Sequence, residues 1–138
     1  MSEPGTAMPD RRSGEGERLD GRAGADAPLL EEETIRQIQD SLPAEMRAQL
    51  IDVFEEQCQR CVTDLAEAVR RGDRGEVRRV THLLKGSSAS LGASALGRAC
   101  EDLERSCRSE DAAVTTSQVD ELSAAAAAAS EALRSQLS

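Results

Sequence analysis

A chain of 138 residues holding one histidine, one phenylalanine and neither tryptophan nor tyrosine has the length of a single domain, with a core of aliphatic side chains, cysteine and Phe54 and modest stability. Its 26 acidic residues outnumber 17 basic ones for a net charge of −9, which argues against general nucleic-acid binding because phosphate contacts need a net basic footprint. No apolar run approaches the roughly 18 residues of a membrane span, Ala124 to Ala129 being short and weakly hydrophobic, so a soluble, cytoplasmic protein without membrane contact is expected.

Five of the ten glycines and three of the four prolines fall within residues 1–28, where apolar side chains are sparse and unpatterned. This segment is expected to be a flexible tail, and it lacks the apolar centre of a secretory signal. From 29 to 138 the chain reads as one helical domain. Leu30, Thr34, Ile35 and Ile38 share a face of a short helix over Glu31–Gln39, and Ser41-Leu42-Pro43 breaks it. A long helix follows over about Ala44–Arg71, with Leu50, Phe54, Cys58, Cys61, Leu65 and Val69 as its apolar stripe and Gly72 as its C-terminal glycine. Asp73 with Glu76 resembles a capping box that opens a third helix, whose inward stripe is Val77, Val80, Leu84, Ser88 and Leu91. After Gly92, Leu96, Ala99, Cys100, Leu103 and Cys107 mark a fourth helix over about Ser94–Arg108. Thr115 or Thr116 then caps a last one along Val119, Leu122, Ala126, Ala129, Leu133 and Leu137. No strand-like alternation occurs. Four longer helices with short links predict an all-α fold, an antiparallel up-down-up-down four-helix bundle with a short additional N-terminal helix.

His82 belongs to the third helix but not to its stripe. At about 100° per residue it lies about 150° from the middle of that stripe, so its imidazole is expected in solvent. Arg78, Arg79, Lys85 and Gly86 share its side at spacings of three and four. Glycine inside a helix costs about 1 kcal/mol relative to alanine, and a departure of that kind often marks a functional position; a bulky side chain at 86 would cover the ring. Arg70, Arg71, Arg74, Arg78, Arg79 and Lys85 crowd toward His82, a basic patch on an acidic protein that is suited to steering an acidic partner surface.

The stretch His82-Leu83-Leu84-Lys85-Gly86-Ser87-Ser88-Ala89-Ser90-Leu91-Gly92 closely resembles the signature of the histidine-containing phosphotransfer (HPt) domains of multistep phosphorelays. The similarity extends over roughly residues 44 to 137 as helices of matching order and length, and residues 1–28 have no counterpart in it. The resemblance implies that His82 accepts the phosphoryl group, that Lys85 helps to hold it, that Gly86 keeps the ring accessible and that Ser87 is a supporting polar group. It also implies a polar residue on the fourth helix, here Glu104, that accepts from the other ring nitrogen and presents Nε2 for attack. Arg78, Arg79 and Arg108 are further supporting candidates.

Histidine suits this chemistry because a free pKa of about 6.5 leaves a nucleophilic nitrogen at neutral pH. Phosphoryl transfer is catalysed mainly by positioning and charge stabilisation, so an accessible ring with nearby cations suffices. The chain has no phosphate-binding glycine loop of the P-loop kind, and Leu83 stands where the dimerisation helices of sensor kinases usually carry an acidic residue. The expected partners are therefore receiver domains of response regulators or hybrid sensor kinases, whose aspartate would give and take the phosphoryl group. No cofactor is expected on this chain, magnesium being supplied by the receiver, and a monomer is expected.

Two other readings compete. A non-phosphorylated helical adaptor would use the same basic face to dock a receiver or another acidic partner, with no chemistry at His82. A thiol or metal sensor would depend on Cys58, Cys61, Cys100 and Cys107, since four thiolates can hold zinc. Each cysteine pair lies on an apolar stripe, however, where cysteine behaves as a small hydrophobe, and disulfides are not expected in a cytoplasmic protein.

Overall fold

The computed structural model describes residues 29–109 and 114–137; the tail expected over 1–28 lies outside them. The described residues form five helices and no strand: α1 (Glu32–Ser41), α2 (Ala44–Arg71), α3 (Arg74–Leu91), α4 (Ser94–Arg108) and α5 (Thr116–Leu137). Around the bundle α2 neighbours α3, α3 neighbours α4, α4 neighbours α5, and α5 closes on α2, while α1 rests against α3 and α5. Cross-helix bonds fix the antiparallel sense. Arg74 at the start of α3 reaches the last carbonyls of α4, and Arg134 near the end of α5 reaches Asp52 and Glu55 near the start of α2.

The seam of α2 differs in detail from its sequence stripe. Ile51, Phe54, Cys58, Cys61, Leu65 and Ala68 are buried, whereas Leu50 and Val69 are only half-buried. The buried series advances by three and four residues in alternation, the period that keeps one seam facing its neighbours over the length of a bundle helix. A stripe running from Leu50 to Val69 would drift around the helix. On α3 the core face is wider than expected and includes Thr81. Its hydroxyl donates to the carbonyls of Val77 and Arg78, and that of buried Ser88 donates to Leu84 at 2.8 Å, so neither is left unsatisfied.

Both tight reversals rely on glycine. Gly72 and Gly92 adopt the left-handed region, at φ 69° and 71°. In each case the two following-chain amides bond back to the helix: Gly72 to Val69 and Asp73 to Ala68, then Gly92 to Ala89 and Ala93 to Ser88. This is the Schellman arrangement. Asp73 caps α3 by accepting from the Glu76 amide at 3.1 Å, but the capping box stays half-made, because the Glu76 side chain is taken by Arg79. Thr115 and Gln118 make the full reciprocal box at the head of α5.

The α3–α4 turn is also where α1 attaches. The Glu31 amide donates to the Gly92 carbonyl at 2.7 Å, and a Cβ placed on Gly92 would lie 2.9 Å from Thr34 Cβ. Gly72 faces open space. Gly72→Ala is therefore expected to lose only the left-handed backbone preference, about 1 kcal/mol, and Gly92→Ala to lose more because the α1 contact must also yield. Urea midpoints compare the two directly. Equal losses would show that Thr34 moves aside without cost.

Candidate functional site

Because α3 buries Val77, Val80, Thr81, Leu84, Ser88 and Leu91, the opposite face of the helix is turned to solvent. His82 stands on that face with 73% of its side chain exposed. Arg78 and Arg79 precede it by one turn, Lys85 and Gly86 follow by one turn, and Ala89 lies beyond; all but the half-buried Lys85 are exposed. A Cβ at Gly86 would meet no heavy atom within 4 Å. That glycine answers no packing demand, which leaves access to the ring as its physical effect.

The second wall comes from α4. Cys100, Leu103 and Cys107 dock α4 into the core, which leaves Glu104, beside Leu103, at the α3–α4 seam with its side chain only 13% exposed. Its two oxygens serve two partners. Oε1 accepts from Lys85 Nζ at 3.1 Å, and Oε2 lies 3.5 Å from His82 Nδ1. The Lys85 hydrogen bond is the largest reason that the Glu104 carboxyl titrates below the ordinary glutamate range; burial opposes it, and the charge of Lys85 and contact with His82 add to the lowering. The carboxylate is thus ionised at neutral pH and loses its charge only as the pH falls below that range. An anionic oxygen beside Nδ1 favours the tautomer that carries its proton there. The lone pair is then on Nε2, the ring nitrogen turned away from Glu104.

The remaining sequence candidates divide into those near this group and those committed elsewhere. Ser87 does not join it: its hydroxyl donates to Gln57 Oε1 on α2 at 2.7 Å, linking α3 to α2. Arg79 is held by Glu76 through two contacts, at 3.0 and 2.8 Å. Arg70 pairs with Glu67, and Arg71 lies 3.5 Å from both Glu67 and Asp73. Arg74 donates to the carbonyls of Ser106, Cys107 and Ser109 and so closes the C-terminus of α4. Arg78 and Arg108 are exposed and make no ion pair with a described residue. Of the expected cations, Arg78 thus stands exposed and without an ion pair one turn from His82, Lys85 lies one turn on the other side but is shared with Glu104, and Arg108 is exposed at the end of α4, fewer free groups than the sequence count.

Two features of the surroundings were not among the site residues expected from the sequence. Gln57, the partner of Ser87, depends on the pairing of α2 with α3 and has no local signal. Leu83 is 47% exposed beside His82; its helical phase, outside the buried stripe, is the signal that marks it. The cysteines are all buried and free. Burial chiefly pushes the Cys58 thiol up to about 11 and that of Cys100 up to about 12, and raises Cys61 and Cys107 as well. Thiols held protonated in this way are poor nucleophiles and poor ligands, and no group of three or more metal-ligating side chains suited to an ion occurs among the described residues.

Comparison with known proteins finds a matching family model and a similar solved structure. The family model described as "Hpt domain" matches residues 49–132. The crystal structure of histidine-containing phosphotransfer protein B (HptB) from Pseudomonas aeruginosa PAO1 is similar with a TM-score of 0.70 at 24% sequence identity, covering 80% of this chain and 95% of that one. At that identity the likeness speaks for the fold. No curated protein matches the chain.

The open space at Gly86 separates access from stability. Gly86→Gln is expected to keep the helix, with an unfolding midpoint at or above that of the parent because helix propensity improves by up to about 1 kcal/mol. Phosphoryl uptake from a protein donor should nevertheless slow by about tenfold or more, since the new side chain stands in the approach to the ring. Paired thermal melts and transfer rates check this. An unchanged rate would remove access as the reason for glycine at this position.

Proposed function

The chain belongs to the Hpt domain family, and on that premise we infer that His82 is the residue on which this phosphorelay intermediate takes a phosphoryl group from one receiver-domain aspartate and gives it to another. The observation that carries the assignment is the side chain of Glu104, whose two oxygens lie at His82 Nδ1 and Lys85 Nζ. That arrangement orients the ring with Nε2 outward and keeps a cation one turn away.

In this reading Nε2 attacks phosphorus as the acyl-phosphate O–P bond breaks, and the bonding pair leaves on the aspartate carboxylate. Lys85 meets the arriving oxygens, with Arg78 and Arg108 supplying charge to the approach. Both the aspartyl phosphate and the phosphoramidate are high-energy linkages, so the step runs in either direction with little net change in free energy. Ser87 acts on the site indirectly, through the α2–α3 contact with Gln57, and Arg79 through its clasp on Glu76. Leu83 offers an apolar contact next to the reacting ring, and the open face suits a protein partner.

Magnesium belongs, in this reading, to the receiver, and the chain itself needs no cofactor. We further place the protein in the cytoplasm as a monomer that binds neither nucleic acid nor membrane; among the described residues no helix is long and apolar enough to cross a membrane. The adaptor reading leaves family membership and the Nδ1–carboxylate arrangement without a purpose.

Incubation with a receiver carrying labelled aspartyl phosphate tests the assignment. Acid-labile, base-stable label is expected on the parent and absent from His82→Gln. Label that persists in the variant, or fails to appear on the parent with every receiver of the source organism, would contradict it.

A further inference from the structure

We propose that the groove between α2 and α5 is a second docking surface of this protein, one that receives a basic amphipathic helix of a partner protein on the side of the bundle away from His82. It is independent of the chemistry at His82.

The groove follows from the composition of α5. Along its middle, α5 places Ser123, Ala126, Ala127 and Ser130 opposite Cys58 and Val62 of α2. Side chains this small leave the space between the two helices unfilled, an open trough with a volume of about 680 Å³. From Ser123 to Arg134 it runs about 16 Å, three turns of helix. Its lining is drawn from α2 and α5 alone, whereas His82 and Glu104 stand on α3 and α4. Arg134 closes one end by clasping Asp52 and Glu55 across the seam.

Ser130 distinguishes this trough from loose packing. It is only 8% exposed, and its hydroxyl makes no hydrogen bond with a described residue. The other two buried hydroxyls among the described residues, Thr81 and Ser88, return to carbonyls of their own helix. Ser130 lines the groove instead. A largely buried hydroxyl without a partner is unfavourable, and a donor lying along the groove relieves it.

The rim of the trough is acidic. Glu55 and Glu131 line it, and Asp52 and Glu56 line a shallow depression that continues it over α2. Arg134 is the one cation in the lining, and its charge is spent on Asp52 and Glu55. Glu56 and Glu131 are left without an ion pair among the described residues. Val53, 63% exposed, adds apolar surface beside these carboxylates. A partner therefore needs apolar side chains for the floor and cations for the rim. An amphipathic helix carries both, and a trough between two helices, three turns long, is the shape that such a helix fills. A lysine at its centre would donate to the Ser130 hydroxyl and lie against Glu131. A second copy of this chain is a poor occupant, because it would bring one acidic rim against another.

The test titrates the full ¹⁵N-labelled chain with a synthetic amphipathic helical peptide of leucine and lysine, about 14 residues or four turns long. Saturable shifts are expected at the amides of Val62, Ser123, Ala126, Ala127 and Ser130, with those of Arg78, His82 and Lys85 unmoved. Ala127 is exposed, so Ala127→Phe fills the trough from outside the core; it should remain folded and weaken binding by about tenfold or more. Glu56→Gln combined with Glu131→Gln leaves the packing untouched and should weaken binding about fivefold, with a flatter salt dependence. This charge variant decides the matter if Ala127→Phe loses stability. Shifts centred on α3 and α4, an affinity unchanged in either folded variant, equal binding of a peptide with glutamate in place of lysine, or no saturable binding would each overturn the proposal.

Discussion

The burial of one face of α3 is the constraint on which the site depends. Val77, Val80, Thr81, Leu84, Ser88 and Leu91 are drawn into the bundle, and a helix so anchored on one side has no freedom to rotate about its axis. His82, half a turn from that seam, is held in solvent by apolar packing that it does not take part in. Burial of a leucine or valine side chain is worth about 1.5–3 kcal/mol each, so turning the imidazole inward would cost several such terms and desolvate Lys85 as well. Exposure of the ring is thus a property of the core.

Glu104 shows how a second helix converts exposure into orientation. A free imidazole on a helix surface samples both tautomers and several rotamers. The α4 seam through Cys100, Leu103 and Cys107 brings one carboxylate to Nδ1 and to Lys85 together, so a single side chain lies against both the ring and the nearby cation. Arg74 contributes from a distance: by closing the C-terminus of α4 through three backbone carbonyls, it ties the end of the helix that carries Glu104 to the start of the helix that carries His82.

Much of this was legible in the sequence because it depends on local rules. The limits of α2 and α4, the glycine reversals at 72 and 92, the cap at Asp73 and the outward phase of His82 follow from periodicity and turn chemistry over a few residues. The less legible features are choices among partners. Leu50 and Ile51 are adjacent apolar residues, and only the three-and-four rhythm of bundle packing selects Ile51. Glu76 could return to its own cap or take Arg79, and it takes Arg79. Arg74 sits in a basic run, yet it serves as a helix cap, and Ser87 binds Gln57 thirty positions away. The proximity of Glu104 to His82 was expected from family resemblance; its simultaneous hold on Lys85 required the α3–α4 register.

The claim that the ring is presented by its Nε2 edge is tested most directly by the position of phosphorus on it. In protein labelled with ¹⁵N at histidine and then phosphorylated, the single imidazole gives an unambiguous ¹⁵N–³¹P coupling. The geometry of Glu104, with Oε2 on the Nδ1 side of the ring, requires phosphorus on Nε2. Coupling to Nδ1 instead would mean that the carboxylate does not orient the ring as described.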